Sequence, residues 1–197
     1  VKRLLLYPNA SVAFSQCLAF VKEKGDMGHA GYYNDNDVVF NDYLEKKFFL
    51  TVGITNASCA LIRKRCIEKI DKLFLNFKGA GDTMFWLELS LIGPIVYSKD
   101  GVNHFRRHIA NSTKKFMHTG SNQREEKIIF DFMVSHLHPS KKDYNHYVKT
   151  YVRSRIFEMI PDKKLKNELY EVWNFSKCQQ IELRLEAWMR KLVKILK

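Results

Sequence analysis

Beyond about residue 120, apolar residues recur every three or four positions through successive stretches, and no other feature constrains the fold as much. The stretches are NQREEKIIFDFMVSHL, YNHYVKTYVRSRIFEMI, DKKLKNELYEVWNF and CQQIELRLEAWMRKLVKILK, parted by HPSKKD and IPD. A period near 3.6 sustained over such lengths predicts about four amphipathic helices. Upstream the pattern changes. SVAFSQCLAFV follows the turn signal YPNA and alternates β-branched and aromatic residues, which predicts a strand. KEKGDMGHAGYYNDND predicts a loop or hairpin and VVFNDYLEKKFFL a short helix. TVGITNASCALIRKRC predicts a second buried strand leading into a short helix, IEKIDKLF, and LNFKGAGD a loop.

The next segment, GAGDTMFWLELSLIGP, predicts a helix with Asp82 as its N-cap, because a carboxylate there accepts free amide protons of the first turn. Met84, Leu87 and Leu91 fall on one face, and Gly93-Pro94 stops the helix. IVYS then predicts a short strand, KDGV a turn and NHFRRH an extended segment. Strands alternating with helices predict an α/β layer over residues 1–118. A helical extension follows over 119–197.

A chain of 197 residues, 46% hydrophobic and 13% aromatic, holds enough apolar material for a core and does not fit the composition of disorder. No apolar run reaches the roughly 20 residues that span a bilayer. The chain opens on Val1 without a signal-peptide pattern, which suggests an excerpt of a longer protein. Cys17, Cys59, Cys66 and Cys178 form no C-x-x-C pair, so reduced thiols in a cytoplasmic protein are expected. The pairs His104/His108 and His136/His138 lack further ligands at suitable spacing for structural zinc. Charge is uneven, with a net +2 over residues 1–101 and +10 over 102–197. The cations are spread through helical patterns without a nucleic-acid module, so a solvated surface is expected and nucleic acid is not.

Gly79-Ala80-Gly81-Asp82, Phe85-Trp86-Leu87, Gly93, Ile95-Val96-Tyr97 and Phe105-Arg106-Arg107-His108 with Asn111-Ser112 together resemble a family 2 glycosyltransferase. VAFSQC and GITNASCALIRK are similar to that family's central strands, and the likeness covers roughly residues 1–115. The resemblance implies a partial GT-A sheet with flanking helices. It implies inverting transfer from a nucleotide-diphosphate sugar to a saccharide or lipid-linked acceptor, in polysaccharide or glycolipid assembly of the cell envelope. Asp82 then becomes the catalytic base that deprotonates the acceptor hydroxyl. His108 becomes a ligand of Mn2+ or Mg2+, and Arg106 or Arg107 a partner of the diphosphate. Neighbours in an extended segment point to opposite faces, so at most one of the two arginines does this. Trp86 either stacks on the acceptor or packs in the core. Asn56 and Ser58 are candidate sugar contacts.

One part of the family pattern is missing. Its Asp-x-Asp cation motif has no counterpart in the right place, since Asp35-x-Asp37 falls too late and in a polar loop. The cation and the nucleotide are therefore expected to be held mostly by residues upstream of Val1, leaving this piece inactive alone. A competing reading is a non-catalytic basic helical module that docks on an anionic membrane or a partner protein. In LRLEAWMRKLVKILK an apolar face of Leu185, Trp188, Met189, Leu192 and Ile195-Leu196 lies beside Arg184, Arg190, Lys191, Lys194 and Lys197. The alternative is that this face packs on the body. A cytoplasmic location follows, peripheral on the inner face of the membrane if the helix docks.

Overall fold

Val12, Ala13 and Phe14 are successive residues that point to opposite faces of a strand, yet all are buried, so this strand lies in the middle of its sheet. It is β1, Val12–Val21, in a computed structural model that describes residues 1–21, 25–106 and 119–195. The chain divides into two compact units, residues 1–112 with 135–137 and residues 113–134 with 138–197. The first is a mixed α/β unit and the second is helical.

In the first unit α1, Lys2–Leu6, precedes β1, and β2, Gly25–His29, returns antiparallel beside it. Further on come β3, Val38–Phe40, α2, Tyr43–Phe48, β4, Ala60–Ile62, and α3, Lys64–Ile67. α4, Gly81–Ile92, leads into the long β5, Ile95–Arg106. β5 runs parallel to β1 along one edge, while β4 and β2 share the other edge of β1. β3 pairs antiparallel with the start of β5, giving the order β2-β1-β5-β3.

Phe14, Tyr32, Phe40 and Tyr97 form an aromatic cluster, with Tyr32 edge-on to Tyr97 at 5.0 Å and to Phe40 at 5.2 Å. Such pairs add about 0.5–1.5 kcal/mol to the area they bury. Ala13 and Val96 pack with Leu4 and Ala10 in a separate cluster. Arg63 fastens α1 there, its guanidinium donating to the carbonyls of Leu4 at 2.6 Å and Ala10 at 3.0 Å.

Several local expectations are corrected. VVF is strand rather than helix, because its three residues complete the ladder against Ile95–Tyr97 before α2 begins. TVGITNASCALIRKRC yields only the short β4, since Asn56 caps a 3-10 turn over Ala57–Cys59 and interrupts extension. KDGV is not a turn. Lys99–Gly101 bulge within β5 between the pairs Ser15–Ser98 and Gln16–Val102. The bulge is built from long-range contacts: Arg3 donates to Asp100 at 2.8 Å and to Ser98 at 3.3 Å, and is also ion-paired with Asp37. A Cβ on Gly101 would stand 2.8 Å from the Ser15 Cβ, so this crossing has no room for a side chain.

The second unit begins with α5, Ser121–Leu137, whose last three residues are grouped with the first unit; α6, Lys141–Tyr151, follows and continues as a π-helical segment over Val152–Phe157. α7, Lys163–Val172, and α8, Lys177–Ile195, complete it. Ser140 and Asp162 cap α6 and α7 by accepting the Asp143 and Leu165 amide protons at 3.2 and 2.6 Å. Phe130, Tyr151 and Trp173 stack at the centre with Met133, Ile156, Leu169 and Leu183, all buried. Among the described residues no helix is long and apolar enough to cross a membrane. Cys17, Cys59 and Cys66 are free and buried, and Cys178 is free and exposed.

Candidate functional site

The start of α4 is fixed by backbone contacts that come from the loop before it. A Cβ on Gly81 would lie 3.0 Å from the Phe74 carbonyl oxygen, so a side chain there would push the helix start away from the 3-10 turn Leu73–Asn76 by a few tenths of an ångström. Glu88, about two turns on and 4% exposed, reaches back to that turn. Its two carboxylate oxygens accept the Leu73 and Phe74 amide protons at 3.0 and 3.2 Å. A carboxylate shared by two half-buried amides is among the stronger hydrogen-bond arrangements. Glu88→Ala orphans both donors and is expected to cost at least about 2 kcal/mol. Urea denaturation measures it: a midpoint unchanged from the parent contradicts this role.

Because the helix starts at Gly81, Ala80 occupies the cap and Asp82 lies in the first turn, which corrects the expected N-cap. The exposed carboxylate of Asp82 accepts the Thr83 amide proton through Oδ1 at 2.7 Å. Oδ2 has no hydrogen-bond partner among the described residues. Tyr43 of α2 is 2% exposed. Burial above all pushes the Tyr43 phenol well above its ordinary value; a hydrogen bond to the Ile54 backbone opposes the rise, and Asp82 and Cys59 add to it. Tyr43 thus lies within electrostatic reach of Asp82 on α4 and of Cys59 in the 3-10 turn after Asn56.

Ser58, exposed, lines a cleft of about 440 Å³ together with Arg3, Ser15, Ser98, Asp100 and Asn103. The cleft is rich in hydroxyl and amide groups. Burial raises the Cys59 thiol at its edge above the ordinary range, which keeps it a neutral wall. Asn56 is half-buried and uses its side-chain oxygen to accept the Ser58 amide proton at 3.1 Å. Trp86 is 3% exposed, packed against Phe85 at 5.2 Å, and its indole N–H has no hydrogen-bond partner among the described residues. Of the two readings of this residue, the structure has the core one, with no ring face open to a sugar. Arg106 is exposed at the last position of β5, paired in register with Phe20. Arg107 and His108 lie outside the described residues.

No group of three or more His, Cys, Asp or Glu side chains converges among the described residues. Asp37 is committed to Arg3 and to the Lys99 amide proton at 3.0 Å, and Asp35 accepts from the Tyr33 hydroxyl. Sequence reasoning missed Glu88 and Tyr43, and neither carries a local signal. Glu88 reads as one polar position on an amphipathic helix, and Tyr43 as one aromatic in an apolar run.

No protein-family model matches this chain, and no curated protein matches it.

Proposed function

We propose that this chain supplies the acceptor-activating side of an inverting sugar transferase, taking a sugar from a nucleoside diphosphate donor to a saccharide or lipid-linked saccharide. The observation that carries the reading is the Asp82 carboxylate: exposed in the first turn of α4, one oxygen anchored by the Thr83 amide and the other open. A general base needs that combination of a fixed position and a free lone pair. Support also comes from the likeness of the segments around Asp82 to family 2 glycosyltransferases and their GT-A fold.

In the proposed reaction the acceptor hydroxyl oxygen attacks the anomeric carbon as its proton passes to Oδ2 of Asp82. The bond from the anomeric carbon to the phosphate oxygen breaks, and the nucleoside diphosphate leaves with that electron pair. Attack from the opposite side inverts the anomeric centre. Arg106 is an exposed cation suited to a phosphate oxygen. Ser58 shares a cleft with Ser15 and Ser98 whose lining includes neither Asp82 nor Arg106, so these hydroxyls are given no part in the step. Asn56 shapes the turn that carries Ser58. Trp86 has no part in the chemistry. The family's Mn2+ or Mg2+ takes its ligands from outside the described residues, His108 among them, and no step here passes through it.

The test is release of nucleoside diphosphate by the full-length gene product from a set of nucleotide sugars. Release that depends on an added saccharide acceptor is expected. No release with any donor and acceptor pair removes the reading.

A further inference from the structure

α8 has two apolar faces, one buried within the helical unit and one exposed. Leu183 is fully buried, and Ala187 lies one turn on along the same side, half-buried. At 3.6 residues per turn, Ile181, Leu185, Trp188, Met189 and Leu192 fall within a different arc of about 100°. They are exposed by 58, 54, 59, 53 and 37%. Within its own unit the helix seats itself through Leu183 and leaves the richer face outward.

Charge is sorted around the same helix. On one flank Glu182 and Glu186 are both bound by Lys149 at 2.7 Å, so their charge is answered within the unit. On the other flank Lys177, Arg184 and Lys191 are exposed, and no ion pair engages them among the described residues. An apolar arc containing a tryptophan and bordered by unpaired cations is complementary to a surface with anionic headgroups above an apolar layer.

We propose that α8 docks flat in the interface of an anionic lipid membrane. Leu185, Trp188, Met189 and Leu192 enter the acyl boundary, while Lys177, Arg184 and Lys191 meet lipid phosphates. The helix lies on the membrane and does not cross it, in keeping with its modest hydrophobicity. A second copy of this chain is a poorer occupant, because its face carries the same cations and like charges repel. The inference stands apart from the glycosyl-transfer reading and survives its failure.

Trp188 is its own reporter. The other tryptophans, Trp86 and Trp173, are 3% and 0% exposed, so quenching by brominated lipid reads Trp188. The full chain is mixed with brominated phosphatidylcholine vesicles, with and without phosphatidylglycerol, and co-sedimentation is measured alongside. Binding and quenching are expected only with phosphatidylglycerol, and both weaken as ionic strength rises toward about 1 M, where the Debye length is about 3 Å. The double substitution Leu185→Glu, Leu192→Glu keeps the reporter and changes two exposed residues, so circular dichroism is expected to match the parent. Its partition coefficient is expected to fall by about tenfold or more, since each leucine loses its transfer out of water. Three results overturn the proposal: no quenching on anionic vesicles, equal binding by the double variant, or sedimentation velocity showing a dimer that the double variant abolishes.

Discussion

Asp82→Asn in the full-length gene product is expected to lower sugar transfer by about 10²–10⁴-fold, the usual contribution of a positioned general base. Asparagine keeps the size of the side chain and a carbonyl oxygen for the Thr83 amide, so the anchoring bond survives. What it loses is the lone pair on Oδ2 that takes the acceptor proton. Donor binding, followed by calorimetry, is expected to change little, because the nucleotide does not meet this carboxylate. Stability is also expected to hold within about 1 kcal/mol, the scale of a charge in the first turn of a helix. A transfer rate close to that of the parent reduces Asp82 to a first-turn acid.

Trp173→Ala is expected to be the most damaging single substitution to the second unit. The indole is fully buried, stacked on Tyr151 at 4.0 Å and tilted against Phe130 at 5.5 Å. Its N–H donates to the Gln123 carbonyl at 3.1 Å, which ties the end of α7 to the start of α5. Removing a buried tryptophan costs about 3–5 kcal/mol through lost burial and the cavity left behind. A domain has only about 5–15 kcal/mol to lose. Thermal unfolding followed by near-ultraviolet circular dichroism is expected to show this unit melting far earlier. Trp188→Ala, at a site 59% exposed, serves as the comparison and is expected to shift little. Equal small shifts for both substitutions contradict the packing account.

Elements whose cause is local were legible in the sequence. β1 announces itself by its apolar content, and α4 by its apolar run and the Gly93-Pro94 stop; the face expected of Met84, Leu87 and Leu91 is corrected, since Leu91 is 49% exposed and Trp86 and Leu89 are buried instead. α5 to α8 follow from period alone. What stayed hidden depends on partners far along the chain. β3 and β4 are three residues each, too short for any period, and exist because β5 and β1 offer them an edge. The Lys99–Gly101 bulge rests on Arg3, 97 residues from Asp100. The start of α4 moved one residue ahead of Asp82 because Gly81 closes on Phe74, a contact the capping rule does not see. At the candidate site, Asp82 and Ser58 were legible as residue types, while the hold of Glu88 on the turn before α4 was not. The outward face of α8 was legible as apolar, but which side the unit would bury depended on where Leu183 found its core.

The central claim is that an open carboxylate at the mouth of α4 drives inverting transfer of a sugar from a nucleoside diphosphate. Proton NMR of the reaction run by the full-length gene product tests it most directly, by reading the anomeric configuration of the first product formed. An α-linked donor is predicted to give a β-linked product as nucleoside diphosphate accumulates in equal amount, with neither signal growing in the Asp82→Asn variant. A product that retains the donor's configuration, or transfer that proceeds undiminished in that variant, contradicts the account.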